Sequence, residues 1–223
     1  MKHTLAIDSV ELSFGNRDIL QGAYIGVETG EVVGLLGRNG TGKTCLMNII
    51  YGTLSCRYRT LKIDGVYTMR AYTRAGLTRY APQFGYIPDR LKLKKVFQDN
   101  RMDFERFITV FPEIEKCYLQ KIGTLSGGER RLVEIYLTVA APVKFALLDE
   151  PFSQVMPLHI QRIKDLITRE KENKGIIITD HMYRQILAVS DRVYLLANNS
   201  SYQIKKDEDL ARLGYVAWKA EQE

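Results

Sequence analysis

The chain contains an eight-residue motif that most soluble proteins lack: Gly37-Arg38-Asn39-Gly40-Thr41-Gly42-Lys43-Thr44. It matches the pattern G-x-x-x-x-G-K-[ST], in which glycines let backbone N–H groups approach and bind phosphates. Residues 31–36 before it form a mostly apolar run that predicts a buried strand, and the apolar residues after it recur at helical spacing until Gly52. Strand, loop and helix therefore follow each other in the order that a phosphate-binding loop requires.

The side chains of this loop add a charge and a metal ligand to the backbone donors. Lys43 can bring its ammonium group to the terminal phosphates of a nucleotide, and the hydroxyl of Thr44 can bind Mg²⁺. The helix that begins at the loop adds about half a positive charge at its N-terminus. Many ATPases and GTPases share these features, so the loop alone predicts only that nucleotide phosphates bind here.

Two carboxylates follow a second apolar run, at residues 145–148. Asp149 and Glu150 come at the end of this predicted strand, where ligands bind in parallel sheets. Asp149 is placed to reach the shell of a Mg²⁺ ion through water, and Glu150 is placed to polarise an attacking water as a general base. Two solvated acids after a strand are common, but beside a phosphate-binding loop the catalytic interpretation is favoured.

A third motif lies between these two in the chain, at Leu125-Ser126-Gly127-Gly128-Glu129. Ser126 and Glu129 fit the S-x-x-E capping box that begins a helix, and the two glycines expose backbone N–H groups at that helix start. Together with the phosphate-binding loop, this pentad resembles the ATP-binding-cassette (ABC) ATPases, which are the motor subunits of ABC transporters. The resemblance covers the chain from Leu5 to about Leu210, and it implies that the nucleotide is ATP.

The resemblance also implies roles for individual residues. It makes Asp149 the Walker B aspartate, Glu150 the catalytic glutamate and His181 the switch histidine that contacts the γ-phosphate. Gln83 resembles the Q-loop glutamine, which touches the metal and the attacking water and senses the membrane partner. Asp89 ends the similar sequence Tyr86-Ile87-Pro88-Asp89 and is the second candidate for this position. Phe14 resembles the aromatic residue that stacks on adenine, and an ordinary place in a strand core is the alternative interpretation.

In ABC ATPases the pentad contacts the γ-phosphate held by a second copy. This chain has one phosphate-binding loop and one pentad, so the resemblance implies a head-to-tail dimer with a second copy or a homologous ATPase subunit. It also implies a separate transmembrane permease subunit. Met156 departs from the family, because the D-loop usually carries an acid at this position. Nucleotide binding should survive this change, whereas communication between the two sites is the property that it would affect.

Composition excludes several classes of protein. Of the 223 residues, 45% are hydrophobic and 26% are charged, and no run approaches the roughly 20 apolar residues that cross a bilayer. We therefore expect a cytoplasmic chain that lies on the cytoplasmic face of a membrane through its partner. Three widely spaced cysteines without a C-x-x-C pair indicate reduced thiols and not disulfides or a zinc site.

The net charge of +6 is concentrated in residues 57–95, which we call the basic segment: ten basic and two acidic residues, with five interleaved tyrosines. A solvated basic face whose tyrosines are strand aromatics and a surface against anionic lipid headgroups or an acidic membrane partner explain it equally well. Near an anionic membrane, each Lys or Arg is worth about 1 kcal/mol. The pattern superficially suits nucleic acid, but that partner ranks clearly third.

Strands that alternate with helices predict an α/β fold. The resemblance refines it to a P-loop NTPase (RecA-like) parallel-sheet core with an N-terminal antiparallel β subdomain and a helical insertion subdomain. The expected division is a single domain over residues 1–223, with 1–87 and 136–223 as ATP-binding core and β subdomain and 88–135 as helical signature subdomain. The other predicted elements are a strand over 5–14 turning at Gly15-Asn16, a mostly helical stretch over 91–121 that Pro112 breaks, helices from Ser126 and Pro157, strands over 175–179 and 191–197, a turn after Ala197, and a terminal helix over 207–218.

The leading hypothesis is a transporter motor in which two copies bind two ATP, close, and drive the separate transmembrane subunit. A soluble ABC ATPase acting in assembly, repair or translation is the alternative, although the chain lacks the long coiled coils or tandem cassettes of many such proteins. A nucleotide-binding scaffold without turnover is disfavoured by Glu150 and His181. Within the family, Glu150-Pro151-Phe152 and Thr179-Asp180-His181 resemble the lipopolysaccharide-export and branched-chain amino-acid importer ATPases.

Overall fold

Two β-sheets and seven α-helices account for most of residues 2–216, which are the residues that the computed structural model describes. The strands are β1 (Thr4–Phe14), β2 (Arg17–Glu28), β3 (Val32–Gly37), β4 (Tyr58–Ile63), β5 (Val66–Tyr67), β6 (Thr78–Ala81), β7 (Phe145–Asp149), β8 (Gly175–Thr179), β9 (Arg192–Ala197) and β10 (Ser200–Ile204). The helices are α1 (Lys43–Tyr51), α2 (Leu93–Asp99), α3 (Phe104–Val110), α4 (Gly127–Val139), α5 (Pro157–Glu170), α6 (Tyr183–Val189) and α7 (Asp207–Arg212).

The N-terminal sheet is antiparallel, with the strand order β2-β1-β4-β5. Strands β1 and β2 form the hairpin that the Gly15-Asn16 turn predicts, and Phe14 pairs with Arg17 across it. Along β1, Leu5 and Ile7 are buried whereas Asp8 is exposed, as expected for a strand with one face on a core. The predicted antiparallel β subdomain is confirmed.

The larger sheet has the strand order β10-β9-β3-β8-β7-β6, in which every neighbouring pair from β9 to β6 is parallel and β10 is antiparallel to β9. Every residue of β3, β7 and β8 is buried, because both faces of this sheet are covered. Phe145 and Leu147 pack with α1 and the antiparallel sheet, and Ala146 and Leu148 pack with α4 and α5 on the other face. The predicted parallel-sheet core is confirmed.

The chain between β6 and β7 contains α2, α3 and α4, and it differs in detail from the predicted stretch over residues 91–121. Helices α2 and α3 are short, because Arg101 adopts a left-handed backbone with φ 52° and Asp103 then caps a new helix by accepting the N–H of Glu105 at 2.9 Å. A 3₁₀ turn over Pro112–Cys117 follows. The predicted helical backbone and its break at Pro112 are therefore confirmed, but the further break between α2 and α3 was not predicted.

Several helix boundaries follow the local signals in the sequence. Gly52 caps the C-terminus of α1, and α5 begins at Pro157. The capping box of α4 is confirmed, since the hydroxyl of Ser126 accepts the N–H of Glu129 at 3.3 Å and the Glu129 carboxylate accepts the N–H of Ser126 at 2.8 Å. Within residues 2–216, no helix has the length and apolarity that a bilayer span requires.

The remaining elements agree with the prediction only in part. The basic segment contains β4, β5 and β6, whose positions its polar composition did not indicate. The turn after β9 is confirmed: Asn198 and Asn199 have φ of 47° and 63°, the left-handed geometry of a tight hairpin turn, and lead into β10. Helix α7 ends at Arg212, earlier than predicted, and the last residues of the predicted helix lie outside the described range.

Candidate functional site

A cavity of about 610 Å³ opens at the carboxyl ends of β3, β7 and β8, the edge at which parallel sheets bind ligands. It is lined by residues of the phosphate-binding loop, by the predicted catalytic residues and by three side chains of the neighbouring strands and helix: Phe14, Ile19, Asn39, Gly40, Gly42, Lys43, Thr44, Cys45, Gln83, Glu150 and His181. Phe14 is 54% exposed, so its place is the wall of the cavity and not a strand core.

The phosphate-binding loop joins β3 to α1 through backbone geometry that requires glycine. Gly42 is the N-cap of α1 with φ 99°, and a Cβ there would lie 2.8 Å from the side chain of Ile19. Lys43 is buried, and its ammonium group donates to the carbonyl oxygen of Gly37 at 2.7 Å. Burial lowers the pKa of Lys43, and the nearby carboxylates of Glu150 and Asp149 oppose that shift. These acids therefore help Lys43 to stay cationic.

Glu150 follows β7 in a left-handed backbone conformation with φ 53°, which is uncommon for a residue other than glycine and typical of functional sites. Its N–H donates to the carbonyl of Thr179 on the neighbouring strand at 2.7 Å. Three polar groups surround its Oε2 atom: Nε2 of Gln83 at 3.0 Å, Oγ of Ser153 at 3.3 Å and Nδ1 of His181 at 3.7 Å. The structure thus brings the three predicted catalytic residues together around one carboxylate oxygen.

Asp149 is buried one residue earlier, at the end of β7. Its Oδ2 accepts a hydrogen bond from the Tyr80 hydroxyl at 3.0 Å, whereas its Oδ1 is buried and has no hydrogen-bond partner within residues 2–216. Burial raises the pKa of Asp149, and the hydroxyls of Thr44 and Tyr80 oppose the shift. Burial and the Asp149 carboxylate raise the pKa of Tyr80, which keeps its hydroxyl protonated.

An unsatisfied carboxylate oxygen beside the Thr44 hydroxyl fits a hard divalent cation, since such ions prefer oxygen ligands. No three His, Cys, Asp or Glu side chains converge into a metal-binding group in the described part of the chain. A Mg²⁺ ion held by Asp149 and Thr44 would therefore take its other ligands from phosphate oxygens and water, as Mg²⁺ does at nucleotide sites.

The structure separates the two residues that could serve as the Q-loop residue. Gln83 lines the cavity and contacts Glu150. Asp89 lies elsewhere: its carboxylate is 72% exposed and pairs with Arg130 of α4 at 2.6 Å. Because Asp89 is absent from the cavity wall and engaged by Arg130, the geometry favours Gln83 for contact with a metal or an attacking water.

The pentad over residues 125–129 does not line the cavity of its own chain. It begins α4, and the loop after β7 passes so close that a Cβ on Gly128 would lie 3.1 Å from the backbone oxygen of Gln154. A larger residue at this position would require the loop to shift slightly. The pentad therefore presents helix N-terminal N–H groups at a separate place on the surface, as a contact with a second copy would require.

Two buried charged residues to which the sequence patterns assigned no role hold the site together. Arg131 of α4 is 5% exposed and donates to the backbone oxygens of Pro82 at 2.6 Å and Asp149 at 2.5 Å. Asp180 accepts the N–H groups of Phe152 and Met182, both at 2.9 Å. Arg131 follows the pentad and Asp180 precedes His181, so their place beside the motifs is the only signal that the sequence contains.

Met156 is the N-cap residue of α5, and no side-chain hydrogen bond caps that helix. We expect Met156→Asp to raise the free energy of unfolding by about 1 kcal/mol, because a carboxylate there can accept a backbone N–H and complement the helix dipole. Met156 is 64% exposed, so little packing is lost. Urea titration measures the change. Met156→Ala supplies no cap and is the matched control; an equal gain in both variants would contradict the capping explanation.

The fold and the cavity define a class of protein: an α/β nucleotide-binding protein whose phosphate-binding loop shares a cavity with the Glu150 carboxylate. Comparison with protein families narrows this class. The family model described as ABC transporter matches residues 20–153. The chain belongs to the ABC transporter family, and it is an ATP-binding, ATP-hydrolysing subunit of such a transporter.

Individual relatives agree with this assignment. LptB, the lipopolysaccharide export system ATP-binding protein of Escherichia coli, is 33% identical over 232 residues, covering 94% of this chain and 96% of LptB. BraG, the high-affinity branched-chain amino acid transport ATP-binding protein of Pseudomonas aeruginosa, is 26% identical over 87% of this chain and 89% of BraG. A solved ATP-binding subunit of an ABC transporter superimposes with a TM-score of 0.82 at 21% identity, covering 96% of this chain and 95% of that one. The predicted resemblance is confirmed, and these relatives give no support to the soluble alternative.

Proposed function

We propose that this chain pairs head to tail with a second copy, or with a homologous ATPase subunit, and that the pair closes around two ATP and Mg²⁺ to drive a separate transmembrane permease. The observation that carries this proposal is the Glu150 carboxylate, which lies in the cavity with Gln83, Ser153 and His181 around its Oε2 atom. That cluster is suited to orienting and deprotonating a water molecule at the γ-phosphate.

Each motif has a part in this mechanism. The backbone N–H groups of residues 40–44 bind the β- and γ-phosphates, Lys43 adds its positive charge, and Arg38 and Asn39 complete the loop. Phe14 stacks on the adenine from the wall of the cavity. When bound, Mg²⁺ neutralises charge on the phosphates. Asp149, Thr44 and Gln83 are the residues that would hold it.

Glu150 takes the proton of the attacking water, and its neighbours prepare it for that role. The Gln83 amide donates to Oε2, which fixes the carboxylate and leaves its other oxygen for the water. His181 is 57% exposed at the cavity, where its imidazole can contact the γ-phosphate. Ser153 contacts both Glu150 at 3.3 Å and His181 at 3.5 Å, so it links the general base to the switch histidine.

The second subunit completes the site, because the pentad lies away from the cavity of its own chain. Its capped helix start, with Gly127 and Gly128, would face the γ-phosphate held by the partner. We assign the pentad to a helical signature subdomain over residues 88–135 and the cavity to the core and β subdomain over residues 1–87 and 136–223. Closure of the pair then joins the helical subdomain of one copy to the core of the other.

The permease partner places this chain on the cytoplasmic face of a membrane. The net charge of +8 in the basic segment suits anionic headgroups or an acidic partner surface, and exposed apolar residues accompany it: Tyr67 and Met69 are 53% and 64% exposed. Phe84, beside Gln83, is 75% exposed. This combination of basic charge and exposed apolar side chains supports a docking role for the basic segment.

Affinity purification from detergent-solubilised membranes of the native host tests this function. We expect a stoichiometric multi-span protein to copurify, identified by mass spectrometry, and a parallel purification from the soluble fraction to lack it. Recovery only from the soluble fraction, with soluble partners or none, would overturn the permease proposal. Steady-state ATPase assays on the same preparations separate that outcome from a loss of catalysis.

A further inference from the structure

Strand β6 lies beside β7 in parallel register, with Tyr80 opposite Leu147 and Ala81 opposite Leu148. The residues at the end of β6 therefore reach the two carboxylates at the end of β7. Tyr80 donates to Asp149 Oδ2 at 3.0 Å, and Gln83 donates to Glu150 Oε2 at 3.0 Å. Strand β6 and the loop directly after it thus supply one hydrogen-bond donor to each acid of the site.

The Tyr80 hydroxyl is held in a fixed orientation. The side-chain amide of Asn48 donates to its oxygen at 3.4 Å, so the proton of the hydroxyl is directed to Asp149. Asn48 also donates to the backbone oxygen of Thr44 at 2.8 Å, which links Tyr80 to the phosphate-binding loop. Tyr80 therefore connects three elements of the site: β6, α1 and β7.

Packing fixes the ring as well as the hydroxyl. Tyr80 is 8% exposed, and its ring centroid lies 5.4 Å from that of Tyr51. Tyr51 in turn packs on Tyr72 at 5.6 Å, and Tyr72 is 41% exposed in the basic segment. Aromatic pairs at such distances are attractive, so the hydroxyl is presented to Asp149 by a column of three rings.

We infer that Tyr80 is a positioning residue: by binding Oδ2 of Asp149, it turns the unpartnered Oδ1 toward the metal ion of the nucleotide complex. The inference rests on the proposed role of Asp149. Carboxylates that bind metals are themselves oriented by hydrogen bonds, and loss of such an outer partner costs about 10–100-fold in metal affinity or activity. Tyr80 thereby acts on the metal through Asp149, without touching it.

The test is Tyr80→Phe, which keeps the ring and removes the hydroxyl. Mn²⁺ replaces Mg²⁺ as a paramagnetic ion of similar oxygen preference, and electron paramagnetic resonance follows its binding to the complex with a non-hydrolysable ATP analogue. We expect Mn²⁺ affinity to fall about 10-fold. Affinity for the same analogue in EDTA should stay within about twofold of wild type, because the hydroxyl acts only through the metal ligand. Tyr51→Phe removes the same atom from the adjacent ring and should leave both affinities unchanged.

Two results would overturn the inference: unchanged Mn²⁺ affinity in Tyr80→Phe, or an equal loss of nucleotide affinity with and without metal, which would indicate a general packing role. Asp149→Asn in the same titration tests the proposed metal site itself. If Asp149→Asn weakens Mn²⁺ binding and Tyr80→Phe does not, only the role of Tyr80 fails. If the two variants weaken it and their combination adds nothing, the double-mutant cycle supports action of Tyr80 through Asp149.

Discussion

Glu150→Gln is expected to lower ATP turnover by about 10²–10³-fold while ATP still binds, because an amide cannot take the proton of the attacking water. The substitution preserves the size of the side chain, and the N–H of Glu150, which donates to Thr179, is unaffected. Bound ATP that is not hydrolysed should hold two copies together. Phosphate release measures turnover, and gel filtration with ATP and Mg²⁺ measures the closed dimer.

The control for this experiment is Glu172→Gln, the same change of charge at an exposed position after α5. It should leave turnover and oligomeric state unchanged. Turnover of Glu150→Gln at the wild-type rate would remove Glu150 from its catalytic role. Loss of ATP binding together with turnover would show that the substitution disturbs the phosphate-binding loop and not the chemical step.

Lys43→Ala is expected to abolish measurable ATP binding, with affinity falling by at least about 10²-fold. A charged hydrogen bond contributes about 1.5–3 kcal/mol, and each 1.4 kcal/mol is a factor of ten in affinity, so loss of two contacts to the terminal phosphates is sufficient. Lys43 is buried beside Glu150 and Asp149, and without its charge these acids would repel the phosphates. Titration with a fluorescent ATP analogue measures the affinity.

Lys95→Ala serves as the control for loss of a single positive charge, since Lys95 is 59% exposed and pairs with Asp99 on α2. Its ATP affinity should equal that of wild type. Thermal unfolding without nucleotide distinguishes lost contacts from a misfolded loop: Lys43→Ala should unfold cooperatively. Retained ATP affinity in a folded Lys43→Ala protein would count against the assignment of the phosphate-binding loop.

Much of the fold was predictable because its signals are local. The glycines of the phosphate-binding loop, the capping box at Ser126 and the proline that begins α5 each act on neighbouring residues. The buried strands β3, β7 and β8 are apolar throughout and so stand out in the sequence. The bounds of β4 and β6 were not predicted, because short strands with charged residues lack that pattern.

The residues of the candidate site were likewise predictable only in part. The sequence offered Gln83 and Asp89 for one position, and the fold separates them, because Arg130 holds Asp89 while Gln83 reaches Glu150. Ser153 gave no signal that it would bridge Glu150 and His181. Such contacts depend on the course of loops between elements, which residue spacing does not encode.

The sequence by itself determined that this chain has a phosphate-binding loop and two adjacent acids at the end of a buried strand, since residue type within short motifs is sufficient for both. The tertiary structure alone decided which side chains meet those acids. Tyr80 and Asp149 are 69 residues apart, and Arg131 contacts the backbone of Asp149 from helix α4. The parallel register of β6 with β7 and the packing of α4 on the sheet bring them together, and these are properties of the whole fold.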